Sequence, residues 1–283
     1  VRIRDGLLVL VSDSGTALGR VASALKTHDT AEQPQEAFAD ESERDTEAHE
    51  GASPWPTTLR SGVDRIVSRT DTPRAKRVEQ LLHWVPYCVA RHQLHLARAQ
   101  LGHPAAAIPV DATNDANPLR TRSQQALDEY RWNIVAALIS LASSYQEEAP
   151  PEERAQWSRY TQPNAPFANS PRAFFTETLA AVGALNATVG RRHFTFKVPM
   201  LEALVAASVD PGREVEFPRF CSDLSDQLGL VVDQRAARQA GLTVDIDEGV
   251  FAANAAAFRR RLAAAGLLTH YSDTTAMVHG ETR

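Results

Sequence analysis

Residues 247–280 read DEGVFAANAAAFRRRLAAAGLLTHYSDTTAMVHG, and this stretch decides the fold. Its first half predicts a helix over about 247–265, because Phe251 and Phe258 recur at helical spacing and Gly266 follows as a stop signal. Two short apolar runs then flank the turn residues SDTT. Apolar runs on either side of a turn are typical of a β-hairpin, so we expect a helix that leads directly into a two-stranded hairpin.

The elements before this stretch follow a regular order. Pro199 begins a helix, a short strand EVEF follows, and Pro218 begins a second helix that ends at Gly229. A shorter helix, QRAARQAG, comes next with Asp233 as its cap. The order helix, strand, helix, helix and hairpin over roughly 193–280 resembles a winged helix, a form of the helix-turn-helix fold. The resemblance is one of pattern, and it implies that the last helix and the hairpin would be the recognition helix and the wing.

Composition divides the remainder of the chain. The apolar run LLVLV, a turn and a helix-compatible stretch predict one βα unit near the start. The predicted segments are a βα unit at 1–27, a disordered acidic loop at 28–57, a helical or α+β domain at 58–148, a proline-rich linker at 149–172 and a winged-helix-like domain at 173–283. The predicted fold class is therefore mainly α, of the α+β type, with a helical N-terminal domain of small strand content followed by the winged-helix-like domain.

The charge is distributed unevenly along the chain. The 283 residues carry 30 Lys plus Arg against 35 Asp plus Glu, a formal net charge of −5, which argues against a protein that coats nucleic acid by bulk charge. However, the stretch from Asp29 to Glu50 alone holds nine acidic residues and one arginine. Such a stretch cannot bury enough apolar surface to fold, so we interpret it as a solvated insertion or as an acidic segment that shields a basic surface. The negative total therefore does not exclude a surface that faces DNA.

The helix at 247–265 supplies the first candidates for nucleic-acid contact. Arg259, Arg260 and Arg261 follow one another, so at least one or two of them must face solvent. Arginines at such positions contact phosphates in DNA-binding helices. The rest of the helix is rich in alanine, and Asn254 is the one residue there that could read a base edge. We therefore expect sequence-independent DNA contact or protein–protein docking rather than a sequence-specific repressor.

A second group of candidates comes from the most basic part of the chain. Residues 58–102 contain eight Lys plus Arg against three Asp plus Glu. Within it, Arg74, Lys76 and Arg77 lie close together at the predicted start of a helix. Clustered cations of this kind are typical of a surface that contacts the DNA backbone.

The turn at 111–123 is the candidate anion site. Arg120 and Arg122 fall in the first turn of a helix that Asn117 and Pro118 are predicted to begin, and Ser123 follows them. Cations are unfavourable at a helix N-terminus unless an anion or a carboxylate lies beside them. Two hypotheses remain open: the arginines bind phosphate or a partner, or they pair with Asp111, Asp115 or Asp128.

The turn at 12–19 supports a different class of function. It follows a predicted strand and begins a helix, which is a geometry that binds anions. Gly15 and Thr16 resemble part of the haloacid-dehalogenase phosphatase signature, but Ser12 and Ser14 stand where that family requires its carboxylates, so the resemblance implies no such chemistry. The alternative to a DNA-binding protein is a nucleotide- or phosphate-binding enzyme in which this turn and the turn at 111–123 meet at one end of a sheet.

One group of residues has the spacing of a metal site. Cys88, His92 and His95 recur near one helix face, and a thiolate with two imidazoles could ligate zinc. The alternatives are a buried cysteine with hydrogen-bonded histidines, which we favour, or exposed functional histidines. We therefore predict no metal and no cofactor.

These observations lead to one functional hypothesis and one alternative. We expect a non-catalytic DNA-binding or adaptor subunit of a bacterial multi-protein DNA-handling machine, because accessory subunits of genome-maintenance and anti-phage defence systems look similar in architecture. Its partners would be the DNA backbone, read without regard to sequence, other protein subunits, or both. No apolar run reaches the length of a membrane span, and two cysteines far apart in sequence predict a cytoplasmic protein without a disulfide.

Overall fold

A computed structural model of the chain describes residues 53–113, 115–158, 160–162, 169–186, 191–272 and 275–280. The βα unit predicted at 1–27 and all but the last few residues of the acidic loop predicted at 28–57 lie outside these ranges. Across the described residues the protein is mainly helical with small sheets, in agreement with the α+β class. None of the described helices is long and apolar enough to cross a membrane.

Three long helices make up most of the first half. Helix α1 spans Trp55–Val67, α2 spans Arg74–Gln100 and α3 spans Pro118–Glu148. Pro86 lies inside α2, which continues through this residue as one helical segment. Helix α3 begins as predicted, because the Asn117 side chain accepts a hydrogen bond from the backbone N–H of Arg120.

Two shorter helices fall in or next to the predicted linker. Helix α4 spans Arg154–Ser158, and α5 spans Asn169–Ala181. Phe175 and Leu179 of α5 are fully buried against the rest of the protein. Helix α5 thus begins within the predicted linker and continues beyond its end at residue 172.

The second half contains further helices and several short strands. They are α6 at Val198–Ser208, β2 at Glu214–Glu216, α7 at Phe217–Leu228, α8 at Gln234–Gln239, a 3-10 turn at Leu242–Val244 and α9 at Glu248–Ala264. Asp233 caps α8 by accepting a hydrogen bond from the backbone N–H of Ala236. Gly229 ends α7 with a φ of 65°, and a Cβ there would lie 2.5 Å from the carbonyl oxygen of Ala106. Only glycine fits this position without strain.

Two small sheets connect distant parts of the chain. Strand β1 at Ile108–Pro109 pairs in parallel with β3 at Leu230–Val231. The predicted hairpin is present as β4 at Leu268–His270 and β5 at Ala276–His279, and β2 adds to β5 to give the order β2–β5–β4. The strand before α7 therefore lies in the same antiparallel sheet as the hairpin that follows α9.

One hydrophobic core extends from Trp55 to Val278 and includes residues of both halves. Helices α1 and α2 both pack against α6, which the sequence had placed in a separate domain. At the crossing of α1 and α2, a Cβ on Gly62 would lie 2.2 Å from the indole nitrogen of Trp84, so the two helices approach closely. The linker predicted at 149–172 therefore does not separate two independent cores among the described residues.

Candidate nucleic-acid interface

Helix α9 packs its aromatic face inward and leaves a narrow face in contact with solvent. Phe251, Phe258 and Leu262 are almost fully buried, as the sequence predicted. The exposed side of the helix carries Ala253 and Arg260. Apart from arginine, this side therefore offers only small side chains that make no hydrogen bonds.

Asn254 lies on the buried face of α9. Its amide nitrogen donates to the carbonyl oxygens of Val110 and Val232 at 2.9 and 2.8 Å, and its oxygen accepts from the N–H of Ala112 at 2.8 Å. The side chain is 0% exposed, so the prediction that Asn254 reads a base edge is wrong. The asparagine instead satisfies backbone groups beside β1 and β3, which would otherwise be buried without partners. Its spacing of three residues after Phe251 was a sign of this inward position.

The three consecutive arginines of α9 have different surroundings. Arg260 is exposed and Arg259 is half-buried, and neither makes a hydrogen bond or an ion pair in the part of the chain that the structure describes. Arg261 donates from Nη1 to the hydroxyl of Thr195 at 2.9 Å and to the carbonyl of Phe196 at 3.2 Å. Burial lowers the pKa of Arg261 from its ordinary value. Arg259 and Arg260 are therefore available to a partner, whereas Arg261 helps to hold α9 in place.

Other arginines near this surface are engaged in ion pairs. Arg219 lies 2.9 Å from Asp223, and Arg238 makes two contacts with Glu248 across α8 and α9. A cation that faces a carboxylate contributes little net attraction to a phosphate. This contrast distinguishes Arg259 and Arg260 from Arg219 and Arg238.

The second predicted cluster, Arg74, Lys76 and Arg77, also contains both engaged and exposed cations. Arg77 is 7% exposed and donates from Nη1 to the carbonyl oxygen of Val67 at 2.8 Å, so it caps the end of α1. Lys76 lies between two carboxylates, those of Glu79 at 3.0 Å and Glu202 at 2.5 Å. Burial lowers the pKa of Lys76, but the two carboxylates outweigh it and raise the pKa overall. The prediction that Arg77 contacts nucleic acid is therefore wrong, and Arg74 is the exposed member of this cluster.

Two further arginines of this basic region bind the end of α6. Arg65 donates to the carbonyl oxygen of Ala207 and pairs with Asp210, each at about 3 Å. Arg69 donates to the carbonyl oxygens of Ala206 and Val209 and is 2% exposed. The C-terminal carbonyls of a helix have no partners within it and carry partial negative charge. Arg65 and Arg69 therefore join α1 and the residues after it to the end of α6.

The candidate anion site at the start of α3 contains its own carboxylate. Arg120 donates from Nε to Asp111 at 2.6 Å and from Nη2 to the carbonyl oxygen of Thr113 at 3.0 Å. Asp111 is 0% exposed, and it accepts further hydrogen bonds from the N–H and hydroxyl of Thr113. Burial raises the pKa of Asp111, but the hydrogen bonds of Thr113 and Arg120 outweigh it and lower the pKa overall. Of the two hypotheses for Arg120, the structure therefore shows the pairing with Asp111.

The other two residues of this site lie apart from Arg120. The nearest carboxylate oxygen to Arg122 is that of Glu129, 3.7 Å away. Ser123 is fully buried, and its hydroxyl accepts a hydrogen bond from the N–H of Phe194 at 2.8 Å. The prediction of an anion-binding role for Ser123 is therefore wrong, because its hydroxyl lies in the core and is engaged by the backbone.

The same cluster includes a histidine that the sequence did not single out. His193 lies 3.7 Å from Asp111, is 7% exposed, and its Nδ1 atom is buried without a hydrogen-bond partner. Burial, together with the charge of Arg120, lowers the pKa of His193, so the imidazole is neutral at pH 7. A buried aspartate–arginine pair with a neutral histidine joins the segments at 111–113, 117–123 and 191–195. In the described residues this cluster acts as a junction between α3 and the segment before α6.

The proposed metal ligands are separated in the structure. Cys88 is buried in the core, and burial raises the pKa of its thiol. The ring of His92 lies 3.0 Å from the hydroxyl of Ser53. Among the described residues, no group of three or more His, Cys, Asp and Glu side chains is placed to hold a metal ion. The turn at 12–19 lies outside the described residues, so the enzyme hypothesis stays a prediction.

Comparison of this chain with protein-family models, with curated proteins and with solved structures finds no match. The function of this surface must therefore be inferred from its geometry. Two arginines that make no ion pair with a described residue lie near the end of a helix that leads into a hairpin, and they can bind anionic groups without making specific hydrogen bonds to bases.

Proposed function

We propose that the protein is a non-catalytic subunit that contacts the DNA backbone without regard to sequence, through α9 and the hairpin β4–β5, within a bacterial multi-protein DNA-handling machine such as an anti-phage defence system. The observation that carries the proposal is the pair Arg259 and Arg260, which has no ion pair among the described residues. Unpaired surface arginines attract phosphate and release condensed counterions when they bind it.

The arrangement of elements supports the same proposal. Helix α9 ends at Ala264, and β4 begins at Leu268, so Arg260 lies about one turn before the end of the helix and eight residues before the hairpin. Strand β2, which precedes α7, completes the sheet with this hairpin. A helix followed at once by a sheet edge is the arrangement that a winged helix presents to DNA, and a wing-like hairpin would place Tyr271, which is 59% exposed, beside the phosphates.

The absence of a base-reading side chain on the exposed face of α9 favours sequence-independent contact. Asn254 is engaged in the core, and the exposed positions that remain are alanine or arginine. Alanine cannot discriminate among bases by hydrogen bonding, whereas arginine binds any phosphate. We therefore expect similar affinity for unrelated duplexes of equal length.

The test is a double charge reversal, Arg259→Glu with Arg260→Glu, measured by fluorescence anisotropy on two duplexes of unrelated sequence. Each reversal removes one phosphate contact and adds a repulsion, so affinity for both duplexes should fall about tenfold or more at physiological salt. Arg261 is kept, because its hydrogen bonds to Thr195 and Phe196 maintain the position of α9.

The matched control is Arg60→Glu with Arg154→Glu. These two arginines are exposed, lie in different helices from the proposed interface and make no ion pair with a described residue. The control changes the net charge by the same amount but at positions in other helices. Its affinity for DNA should therefore stay within about twofold of that of the unaltered protein. Equal loss in both double variants, or none in either, would contradict the proposed interface.

Docking to another protein subunit is the second candidate, and one observation favours it. Leu82, Val89 and Leu96 recur at every seventh position of α2 and are 67%, 42% and 37% exposed. Exposed apolar side chains aligned on one helix face are typical of a protein interaction surface. Quantitative mass spectrometry of complexes purified with the protein and with Leu82→Glu plus Leu96→Glu tests this function. A stoichiometric subunit lost only from the variant would support it, and identical complexes would contradict it.

A further inference from the structure

A cleft of about 590 Å³ lies among α1, α2, the C-terminal ends of α6 and α7, and residues 105–106. Its volume falls within the range of small-molecule sites in proteins. Trp55, Trp84 and Leu94 contribute apolar atoms to its wall, although each is 5% exposed or less. The cleft lies on α1, α2 and α7, so it is separate from Arg259 and Arg260 on α9 and from the proposed DNA contact.

Arg91 is the feature that sets this cleft apart. Its side chain lines the cleft, yet the residue is only 3% exposed. Nη2 donates to the carbonyl oxygen of Leu228 at 3.0 Å, and the guanidinium lies over the ring of Trp55 at 4.9 Å. The other two nitrogens, Nε and Nη1, are buried and make no hydrogen bond of good geometry, and the buried hydroxyl of Tyr87 lies close enough that Arg91 offsets part of the rise that burial causes in the pKa of Tyr87.

No carboxylate of the described residues lies within 4.0 Å of Arg91. The carbonyl of Leu228 and the ring of Trp55 offset part of the charge, because the end of a helix and an aromatic face both attract cations. A buried cation without a counter-ion nevertheless carries a large desolvation cost, and unpaired buried N–H groups add to it. The cleft is therefore short of one negative charge and of hydrogen-bond acceptors.

The remaining polar groups around the cleft have different effects on an anion, and the carboxylate of Asp226 opposes its binding. Arg65 is already paired with Asp210, so it does not compete for an anion, and the lining carboxylate, Asp226, is exposed. His95 follows Arg91 by one helical turn and also lines the cleft. Burial, together with the charge of Arg91, lowers the pKa of His95, so its neutral imidazole can donate or accept a hydrogen bond.

We propose that this cleft binds a small monoanion with a flat apolar body, of the aromatic carboxylate class, whose acid group accepts hydrogen bonds from Arg91. One cation without a carboxylate partner among the described residues matches one negative charge, and the apolar atoms of the two tryptophans match an apolar body. The acid group would lie against the part of Arg91 that lines the cleft, and the apolar body would cover the rest of that wall.

The test uses two acids, indole-3-acetate and benzoate, and their uncharged amides in calorimetric titrations of the whole protein. The amides have nearly the same shape, so a difference between acid and amide reports the charge alone. We expect the protein to bind at least one acid at least tenfold more tightly than its amide, because charge-assisted hydrogen bonds are the strong ones. Failure of both acids to bind, or equal binding of acid and amide, would overturn the proposal.

Arg91→Met tests the residue itself. The methionine keeps the apolar stem and removes the charge, so binding of the acid should weaken at least tenfold and become similar to that of the amide. Arg60→Gln, an exposed position on α1, is the control and should leave the affinity for the acid unchanged. Unchanged acid binding in Arg91→Met would overturn the proposal.

Asp226→Asn keeps the test decisive if Arg91→Met does not fold. Asp226 is exposed, so its replacement should not affect folding, and removal of its negative charge from the cleft should tighten acid binding roughly twofold at low salt. Affinity for the amide should not change. Weaker acid binding in this variant would contradict an anion site in the cleft.

Discussion

The α1–α2 region and the α9–hairpin region both contain closely spaced arginines, and each region holds some that bind the rest of the fold and some that remain exposed. In the first, Arg69 and Arg77 are buried and donate to carbonyl oxygens at helix ends. In the second, Arg259 and Arg260 follow a buried helix face and make no ion pair with the described residues. The comparison shows that a high count of cations in a sequence does not locate a nucleic-acid surface. The partner of each cation decides whether it stabilises the fold or remains available to a ligand.

The largest effect is expected from Arg69→Ala, which tests the structural role of the first region. The alanine would leave the carbonyls of Ala206 and Val209 without their donor and remove a buried side chain that joins α1 to α6. We expect the free energy of unfolding to fall by about 3–4 kcal/mol in urea titrations. Arg60→Ala, on the exposed side of α1, should change it by less than about 0.5 kcal/mol. Comparable losses in the two variants would contradict the structural role.

A slightly smaller effect is expected from Asp111→Asn, which breaks the buried pair with Arg120. The substitution leaves Arg120 without its counter-ion, so the free energy of unfolding at pH 7 should fall by about 3 kcal/mol. Because folding lowers the pKa of Asp111 below 3.8, the ion pair stabilises the protein above that pH and loses its effect as the pH falls through the folded pKa.

The difference between Asp111→Asn and the unaltered protein should therefore be constant above about pH 5 and should shrink below about pH 4. Urea titrations from pH 3 to pH 7 measure it. His193 contributes in the same direction at higher pH, because its lowered pKa makes the folded state less stable as the pH falls through about 6.5. Asp111 raises the pKa of this histidine, so its loss would change the titration of His193 in the variant alone, and the comparison is therefore made with His193→Gln present in both proteins. A difference that grows on acidification would contradict the pairing.

The smallest effect is expected from Arg74→Ala, at the exposed start of α2. Arg74 makes no ion pair with a described residue, so its loss should change the free energy of unfolding by less than about 0.5 kcal/mol. Arg74 also lies in the α1–α2 region, where Arg69 and Arg77 bind backbone carbonyls of the fold. We therefore expect the affinity for DNA to change by less than about twofold. A larger loss of DNA affinity would extend the proposed interface to α2.

Local sequence signals were sufficient for much of the fold. The caps at Asn117 and Asp233 and the stops at Gly229 and Gly266 each depend on residues within one turn of the helix end, and all four are present as predicted. The hairpin after α9 was predicted from its turn residues for the same reason. Such features are encoded by neighbours in sequence, so one chain suffices to find them.

Features that depend on contacts between residues distant in sequence could not be predicted in this way. Strands β1 and β3 are two residues long and pair across more than a hundred positions, so neither leaves a periodic pattern in the sequence. The burial of Arg77 and of Ser123 depends on partners from other elements, Val67 and Phe194. Arg91 was counted with the other cations for the same reason, because its cleft forms only when α7 meets α2. Tertiary contacts therefore decide the role of a polar residue more than its neighbours do.

The salt dependence of DNA binding tests the central claim most directly. The logarithm of the binding constant should fall linearly with the logarithm of the salt concentration, because bound arginines release counterions from the phosphates. Arg259→Glu with Arg260→Glu should reduce the magnitude of this slope by about two, since each arginine–phosphate pair accounts for roughly one unit of it. Arg60→Glu with Arg154→Glu should leave the slope unchanged. An unchanged slope in the α9 variant, or an equal reduction in the control, would contradict DNA contact through α9.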